Sequence, residues 1–203
     1  MKHIVTIQHT QSEQHCNGMV GSWADWDLTL LGVEQAKRMG QRLSQELREA
    51  RYVLYCSDLL RARHTAERVG DCMGLRPIPT ASLREWNYGE AVGKSKEWAR
   101  QHAKGGWDGI DDKPYAGCES KREVWQRLHM FLEQVMARGE THVMLVSHSG
   151  TLSVFYALWL GLEVEALNRC ALVSSAGGVS FMREEADRRR VLVRLNDLSY
   201  IRE

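Results

Sequence analysis

The stretch KHIVTIQHT, residues 2–10, shows the pattern on which the fold depends. Its apolar run at residues 4–7 has the length of a short buried strand, and a polar segment containing His9 follows at once. The same order recurs in HVMLVSHSG, residues 142–150, where His148 follows the apolar run. Because adjacent parallel strands end at the same edge of a sheet, we expect both histidines to meet in one crevice. The plain alternative is two ordinary loop histidines.

Apolar periodicity along the rest of the chain alternates between strands and helices. We predict helices over residues 29–48, 57–74, 95–102, 119–137 and 150–160, and strands over residues 4–7, 52–56, 142–147, 170–174, 179–183 and 191–196. This alternation predicts an α/β fold, a three-layer sandwich with a mostly parallel central sheet and helices on both faces. Residues 75–90 are expected to be mostly irregular. Residues 76–117, approximately, are predicted to be a small capping insertion within a single domain of residues 1–203.

Size and charge exclude several classes of protein. A chain of 203 residues fits one compact domain or a core with a small cap. Its formal net charge of +1 predicts neither a nucleic-acid partner nor a membrane surface. The first apolar run is too short for a signal peptide or a membrane span. Five scattered cysteines without a CxxC pair predict reduced thiols, and we expect a cytoplasmic protein.

Two further side chains are candidates for the same crevice. Arg61 lies in the first turn of the helix that follows the second strand, where its planar guanidinium offers a fork for phosphate oxygens. Glu85 enters from the predicted insertion and is placed to give a proton to a reacting group. The ordinary alternative for Arg61 is a solvated helix arginine, and that for Glu85 is one surface acid among many.

Short segments follow one another along the chain in a distinctive order. They are QHTQS at residues 8–12, DLTLLGVEQA at 27–36, CSDLLRARHTA at 56–66, LREWNYGE at 83–90 and VSHSG at 146–150. In order and spacing the set resembles the histidine phosphatase superfamily, also called phosphoglycerate mutase-like proteins. The resemblance covers residues 2 to about 160, and each segment by itself is a weak signal.

The resemblance implies a mechanism and a set of site residues. His9 would attack phosphorus and become transiently phosphorylated, while Arg61 and His148 would neutralise the phosphoryl oxygens. Glu85 would protonate the leaving group and later help water attack. Ser12 and the amide of Ser149 would contact the substrate, the latter at a helix start that suits an anion. No metal and no cofactor are implied.

The first segment departs from the family at functional positions. The family usually has Arg-His-Gly where this chain has Gln8, His9 and Thr10. Glutamine donates a neutral hydrogen bond in place of a charged one, which costs about 2–4 kcal/mol of transition-state stabilisation, or roughly 10²–10³ in rate. The family often has asparagine at the position of His15, and a histidinium there would restore positive charge. The alternative is a solvent-exposed loop histidine.

The substrate is expected to be a small phosphomonoester, and the reaction hydrolysis. Family mutases carry an arginine and a histidine after the acid, where this chain has Trp86 and Asn87, so a mutase is disfavoured. A degenerate protein that binds phosphate with little turnover is the alternative that Gln8 favours. The sequence leaves the natural substrate and the oligomeric state open.

Overall fold

A computed structural model describes residues 1–202, and its centre is a six-stranded sheet. The strands are β1 His3–Gln8, β2 Val53–Ser57, β3 Ile78–Thr80, β4 His142–Ser147, β5 Val179–Glu184 and β6 Arg190–Asp197. Their order in the sheet is β3-β2-β4-β1-β5-β6. The first four in that order run parallel, while β5 is antiparallel to β1 and β6 antiparallel to β5. The predicted α/β fold with a mostly parallel sheet is confirmed.

Helices cover both faces of this sheet. They are α1 Leu30–Glu46, α2 Leu60–Met73, α3 Lys96–His102, α4 Lys121–Ala137 and α5 Ser149–Trp159. The alternation along β4 shows the two faces, because Val143 and Leu145 pack in the core with α4 and α5, whereas Met144 and Val146 pack in the core with α1 and α2. Within residues 1–202 no helix combines the length and the apolar character that a membrane crossing requires.

Capping residues set two of the helix ends. The Thr29 hydroxyl accepts a hydrogen bond from the amide of Gly32 at 3.0 Å and so caps α1. Gly74 ends α2 with a φ of +68°, a left-handed conformation that glycine adopts without steric cost. Both caps fix where the chain turns back toward the sheet.

Two strand assignments differ from the sequence prediction. The strand predicted over residues 170–174 is wrong, because that stretch is irregular and Val173 is 64% exposed. The free edge of β1 is taken by β5 instead. Conversely, β3 lies in the stretch expected to be mostly irregular and pairs with β2. Its three residues include Pro79, which is tolerated in an edge strand. A proline in so short a segment leaves no alternating pattern from which a strand could be predicted.

A small second core lies between α2 and α4 in the sequence. It is built by Ala91, Ala99, Tyr115 and Cys118, together with Val20 from the loop after β1. The amide of Val20 donates to the carbonyl of Lys94, which ties that loop to the second core. The loop after β1 and the residues after β3 therefore form one unit beside the sheet.

Candidate active site

His9 and His148 come together because their strands are neighbours. β1 and β4 pair in parallel with Gln8 opposite Ser147, and each histidine is the next residue. The amide of His9 donates to the carbonyl of Ser147 at 3.0 Å. The two imidazole rings lie 5.0 Å apart, centroid to centroid, edge to face at 64°. The two histidines therefore meet at the strand ends, as the sequence pattern predicted.

Hydrogen bonds assign the proton on the His9 ring. Nδ1 lies 2.8 Å from the carbonyl oxygen of Thr10, and Nε2 accepts from Nε of Arg61 at 3.3 Å. Because arginine only donates, Nε2 carries the lone pair and Nδ1 carries the proton. Burial lowers the pKa of His9 well below its usual value, and the charges of Arg61 and His15 lower it further. The ring is therefore neutral near pH 7, with Nε2 as its nucleophilic atom.

Arg61 is fully buried in the first turn of α2, and main-chain oxygens occupy its fork. Its Nη1 donates to the carbonyl of Ala24 at 2.9 Å, and its Nη2 to the carbonyl of Ser22 at 2.6 Å. Burial lowers its pKa to about 10, so the guanidinium stays charged at neutral pH. The fork that we expected to be open for phosphate oxygens is held by residues 22–24.

His148 has one satisfied ring nitrogen and one without a partner. Nε2 lies 2.8 Å from the hydroxyl of Ser57, whereas Nδ1 is buried and meets no hydrogen-bonding atom of residues 1–202. Burial lowers the pKa of His148 well below its usual value, and the charges of Arg61 and His9 act in the same direction. A buried ring nitrogen without a partner is costly unless a ligand atom satisfies it.

Glu85 reaches the site from the segment after β3 and lies against the start of α5. Its Oε1 accepts from the amides of Thr151 and Trp86, both at 3.0 Å, and its Oε2 from the amide of Gly150 at 3.2 Å. Ser149 is the first residue of α5 and is exposed. The amides of the second and third helical residues thus hold Glu85, which places its carboxyl one turn from His148.

Ser12 and His15 form a short turn beside the nucleophile. The Ser12 amide donates to Nδ1 of His15 at 3.0 Å, and the His15 ring stacks on that of His9 at a centroid distance of 5.4 Å. Nδ1 is therefore an acceptor, and the ring proton lies on Nε2. Burial lowers the pKa of His15, and the charges of Arg61 and Lys96 lower it further. In this conformation His15 offers a neutral N–H donor, and a histidinium would require the Ser12 contact to break.

Gln8 lies at the end of β1 and brings no charge. It is 4% exposed, and its Oε1 meets no hydrogen-bonding partner within residues 1–202. The backbone on either side is held, since the Gln8 amide donates to Gly178 and its carbonyl accepts from Gly177. The same described residues contain no group of three His, Cys, Asp or Glu side chains arranged to hold a metal ion.

The site is closed in this structure. His9 is 1% exposed, and Arg61 and His148 are 0% exposed. Residues 22–24 cover it and are tied to the Glu85 segment, because the indole Nε1 of Trp23 donates to the Glu85 carbonyl at 2.7 Å. An oxyanion that used the Nη atoms of Arg61 would have to displace these two carbonyls. Sequence reasoning missed this cover, since backbone carbonyls leave no residue signature.

The chain is similar to known proteins over almost its whole length. The chain matches the histidine phosphatase superfamily (branch 1) over residues 4–198. A protein of Hydrogenobacter thermophilus, provisionally named phosphoserine phosphatase 2, is 30% identical over 207 aligned positions that span 100% of this chain and 99% of that protein. A 2,3-bisphosphoglycerate-dependent phosphoglycerate mutase of Nitrobacter hamburgensis is 30% identical, spanning 85% and 88% of the two chains.

Solved structures show the same fold. A mycobacterial glucosyl-3-phosphoglycerate phosphatase, solved with VO3, has a TM-score of 0.83 at 23% identity over 97% of this chain and 99% of that chain. The alpha-ribazole phosphatase of Shigella flexneri has the same TM-score at 22% identity, over 97% and 96% of the two chains. Likeness at such identity establishes the architecture only. From the family match and the identity to its relatives, this chain belongs to the histidine phosphatase superfamily, branch 1.

Proposed function

We propose that this protein is a metal-independent phosphatase that hydrolyses a small phosphomonoester through a phosphohistidine at His9. The observation that carries the proposal is the state of the His9 ring. Its Nδ1 proton is anchored on the carbonyl of Thr10, and its Nε2 lone pair faces the cation Arg61. This arrangement holds a neutral nucleophile next to a group that attracts the phosphoryl oxygens.

The first chemical step transfers the phosphoryl group to His9. Nε2 attacks phosphorus, the bond from phosphorus to the ester oxygen breaks, and Glu85 gives its proton to the departing alcohol. The Nε–H of Arg61 turns from Nε2 to a phosphoryl oxygen as that lone pair is consumed. Nδ1 of His148, buried without a partner, donates to a second oxygen. Ser12, Ser149 and Nε2 of His15 add neutral donors.

The second step returns the enzyme to its starting state. Water attacks phosphorus, the Glu85 carboxylate takes one water proton, and the bond from phosphorus to Nε2 breaks. Inorganic phosphate leaves, and Glu85 is again protonated for the next turnover. The net reaction is hydrolysis of one phosphomonoester to one alcohol and one phosphate. Solved structures of the mycobacterial phosphatase contain VO3 or inorganic phosphate, oxyanions of the kind this site would bind.

The segment after Glu85 favours a phosphatase over a mutase. Asn87 is used structurally, because its side-chain oxygen accepts from the amide of Gly89 at 2.8 Å. The indole Nε1 of Trp86 is buried and meets no partner among the described residues. Trp86 also contacts the ring of Trp107 at a centroid distance of 5.4 Å. The segment therefore offers aromatic surface and one free N–H, which suits an uncharged leaving group with an apolar or aromatic part.

A phosphate-binding protein with little turnover is the second candidate. Gln8 supplies no charge where the family usually has arginine, and carbonyls of residues 22–24 hold the Arg61 fork. Both features slow phosphoryl transfer, and low activity follows from them if the cover is slow to open. For either candidate we propose a cytoplasmic location and no membrane or nucleic-acid partner, consistent with five cysteines that form no disulfide.

Release of p-nitrophenol from p-nitrophenyl phosphate separates the two candidates. A phosphatase shows turnover that His9→Ala abolishes and that the control His102→Ala leaves unchanged, because His102 is exposed on α3 and stacks on Trp98. Vanadate binding without turnover would support the binding protein. Turnover that survives in His9→Ala would refute the proposal.

A further inference from the structure

Arg127 on α4 contacts the chain just before Glu85. Its Nη1 donates to the carbonyls of Ser82 at 2.8 Å and Arg84 at 3.1 Å. Its Nε and Nη2 donate to the two carboxylate oxygens of Glu119, each at 3.0 Å. All three guanidinium nitrogens are thus used, in four hydrogen bonds, and none of these bonds is to His9, Arg61 or His148.

Glu119 contacts the chain just after Glu85. Its Oε2 accepts from the amide of Asn87 at 2.8 Å, and its own amide donates to the carbonyl of Asn87 at 2.8 Å. The side chains of Glu119 and Arg127 are only 17% and 16% exposed. The ion pair therefore holds the main chain on both sides of Glu85, and it does so from a place largely shielded from solvent.

We propose that Arg127 and Glu119 are positioning residues for Glu85, an inference that rests on the proposed phosphatase function. A buried ion pair often contributes little net stability, because desolvation offsets the attraction. It does fix geometry, since the planar fork of arginine binds a carboxylate and carbonyls in set directions that a lysine ammonium does not reproduce. Displacement of an acid by about 1 Å costs on the order of 10²-fold in rate.

The test uses single-turnover formation of phosphohistidine, which isolates the step in which Glu85 donates a proton. The substrates are p-nitrophenyl phosphate, whose leaving group departs without a proton, and glycerol phosphate, whose leaving group needs one. We expect Arg127→Lys to slow the reaction of glycerol phosphate about 10²-fold and that of p-nitrophenyl phosphate less than about threefold. Glu119→Gln keeps an acceptor for the Asn87 amide. We expect it to slow the reaction of glycerol phosphate about tenfold and to slow that of p-nitrophenyl phosphate less.

Arg122→Met is the matched control. Arg122 lies on the same helix and forms the same kind of two-point pair, with Asp111, at 2.7 and 3.1 Å. That pair is exposed, and Arg122 bonds to Ile110 and Asp111 rather than to the chain beside Glu85, so its loss should leave both rates unchanged. In addition, Glu85→Gln combined with Arg127→Lys should be no slower than Glu85→Gln alone, because Arg127 acts through Glu85.

Equal slowing of both substrates by Arg127→Lys, or slowing that adds to that of Glu85→Gln, would overturn the inference and leave the phosphatase standing. If Arg127→Lys does not fold, Glu119→Gln decides the matter by the same ratio of rates. Absence of a His9-dependent phosphoenzyme in the unmodified protein would instead overturn the proposed function and this inference with it.

Discussion

The two sides of the candidate site differ in how the chain positions its side chains. On the sheet side, His9 and His148 directly follow paired strands, so the ladder between β1 and β4 sets their separation. On the other side, which we call the irregular side, Glu85 lies in an irregular segment and His15 in a single 3-10 turn, and backbone amides hold both side chains. In the proposed mechanism, the sheet side carries out the phosphoryl transfer, and Glu85 on the irregular side makes the rate depend on the leaving group.

The largest effect is expected on the sheet side. Arg61→Met removes the cation that contacts Nε2 of His9, and we expect kcat/KM to fall about 10³-fold. Because the charge acts on phosphoryl oxygens, the loss should be the same for p-nitrophenyl phosphate and glycerol phosphate. Steady-state kinetics on both substrates checks this. A loss confined to one substrate would show that Arg61 acts on the leaving group and not on the phosphoryl oxygens.

On the irregular side, Glu85→Gln should act selectively. The amide keeps the shape of the side chain but donates no proton to a leaving alcohol, so we expect glycerol phosphate to react about 10²-fold more slowly. The single-turnover rate for p-nitrophenyl phosphate should change by far less. Uniform loss on both substrates would instead assign Glu85 to phosphoryl binding, the role proposed for Arg61.

Gln8 is the sheet-side position at which a change should raise activity. Gln8→Arg supplies a charge at the end of β1, and we expect turnover of p-nitrophenyl phosphate to rise about tenfold. Gln8→Lys is the matched variant, with charge but no planar fork, and it should give a smaller gain. A decrease in both variants would mean that the pocket is built around the neutral glutamine.

The buried histidines should make the sheet side sensitive to acid. Burial lowers the pKa of His9 and His148 below the unfolded value near 6.5. Below that pH the unfolded chain binds more protons than the folded one, so the free energy of unfolding falls as pH falls, by at most about 1.4 kcal/mol per pH unit for each histidine. Urea unfolding between pH 7 and pH 5 measures this slope. His148→Gln should reduce it, and an unchanged slope would contradict the burial argument.

The smallest effect is expected at His15. His15→Ala removes one neutral N–H donor, and vanadate binding should weaken about fivefold, with His102→Ala unchanged. Because Nδ1 of His15 accepts from the Ser12 amide, the effect should persist at pH 8, where a histidinium is absent. Loss of the effect at pH 8 would show that His15 acts as a cation after all.

The difference between the two sides also explains which parts of the site could be predicted from the sequence. The strands under His9 and His148 and the helix that carries Arg61 have clear apolar periodicity, and they are present with boundaries close to those expected. The cover over Arg61 depends on carbonyls of residues 22–24, which any residue type supplies. The strand expected at residues 170–174 had the right composition, but sheet pairing is a non-local property that composition does not carry.

Phosphorus NMR of the Glu85→Gln phosphoenzyme, with mass spectrometry of its peptides, tests the central claim most directly. The variant slows water attack, so the intermediate should accumulate after mixing with p-nitrophenyl phosphate. The account predicts one phosphoryl group bonded to Nε2 of His9, stable in base and labile in acid. A phosphoryl group on Nδ1 of His9, on His15 or on any other residue would contradict it.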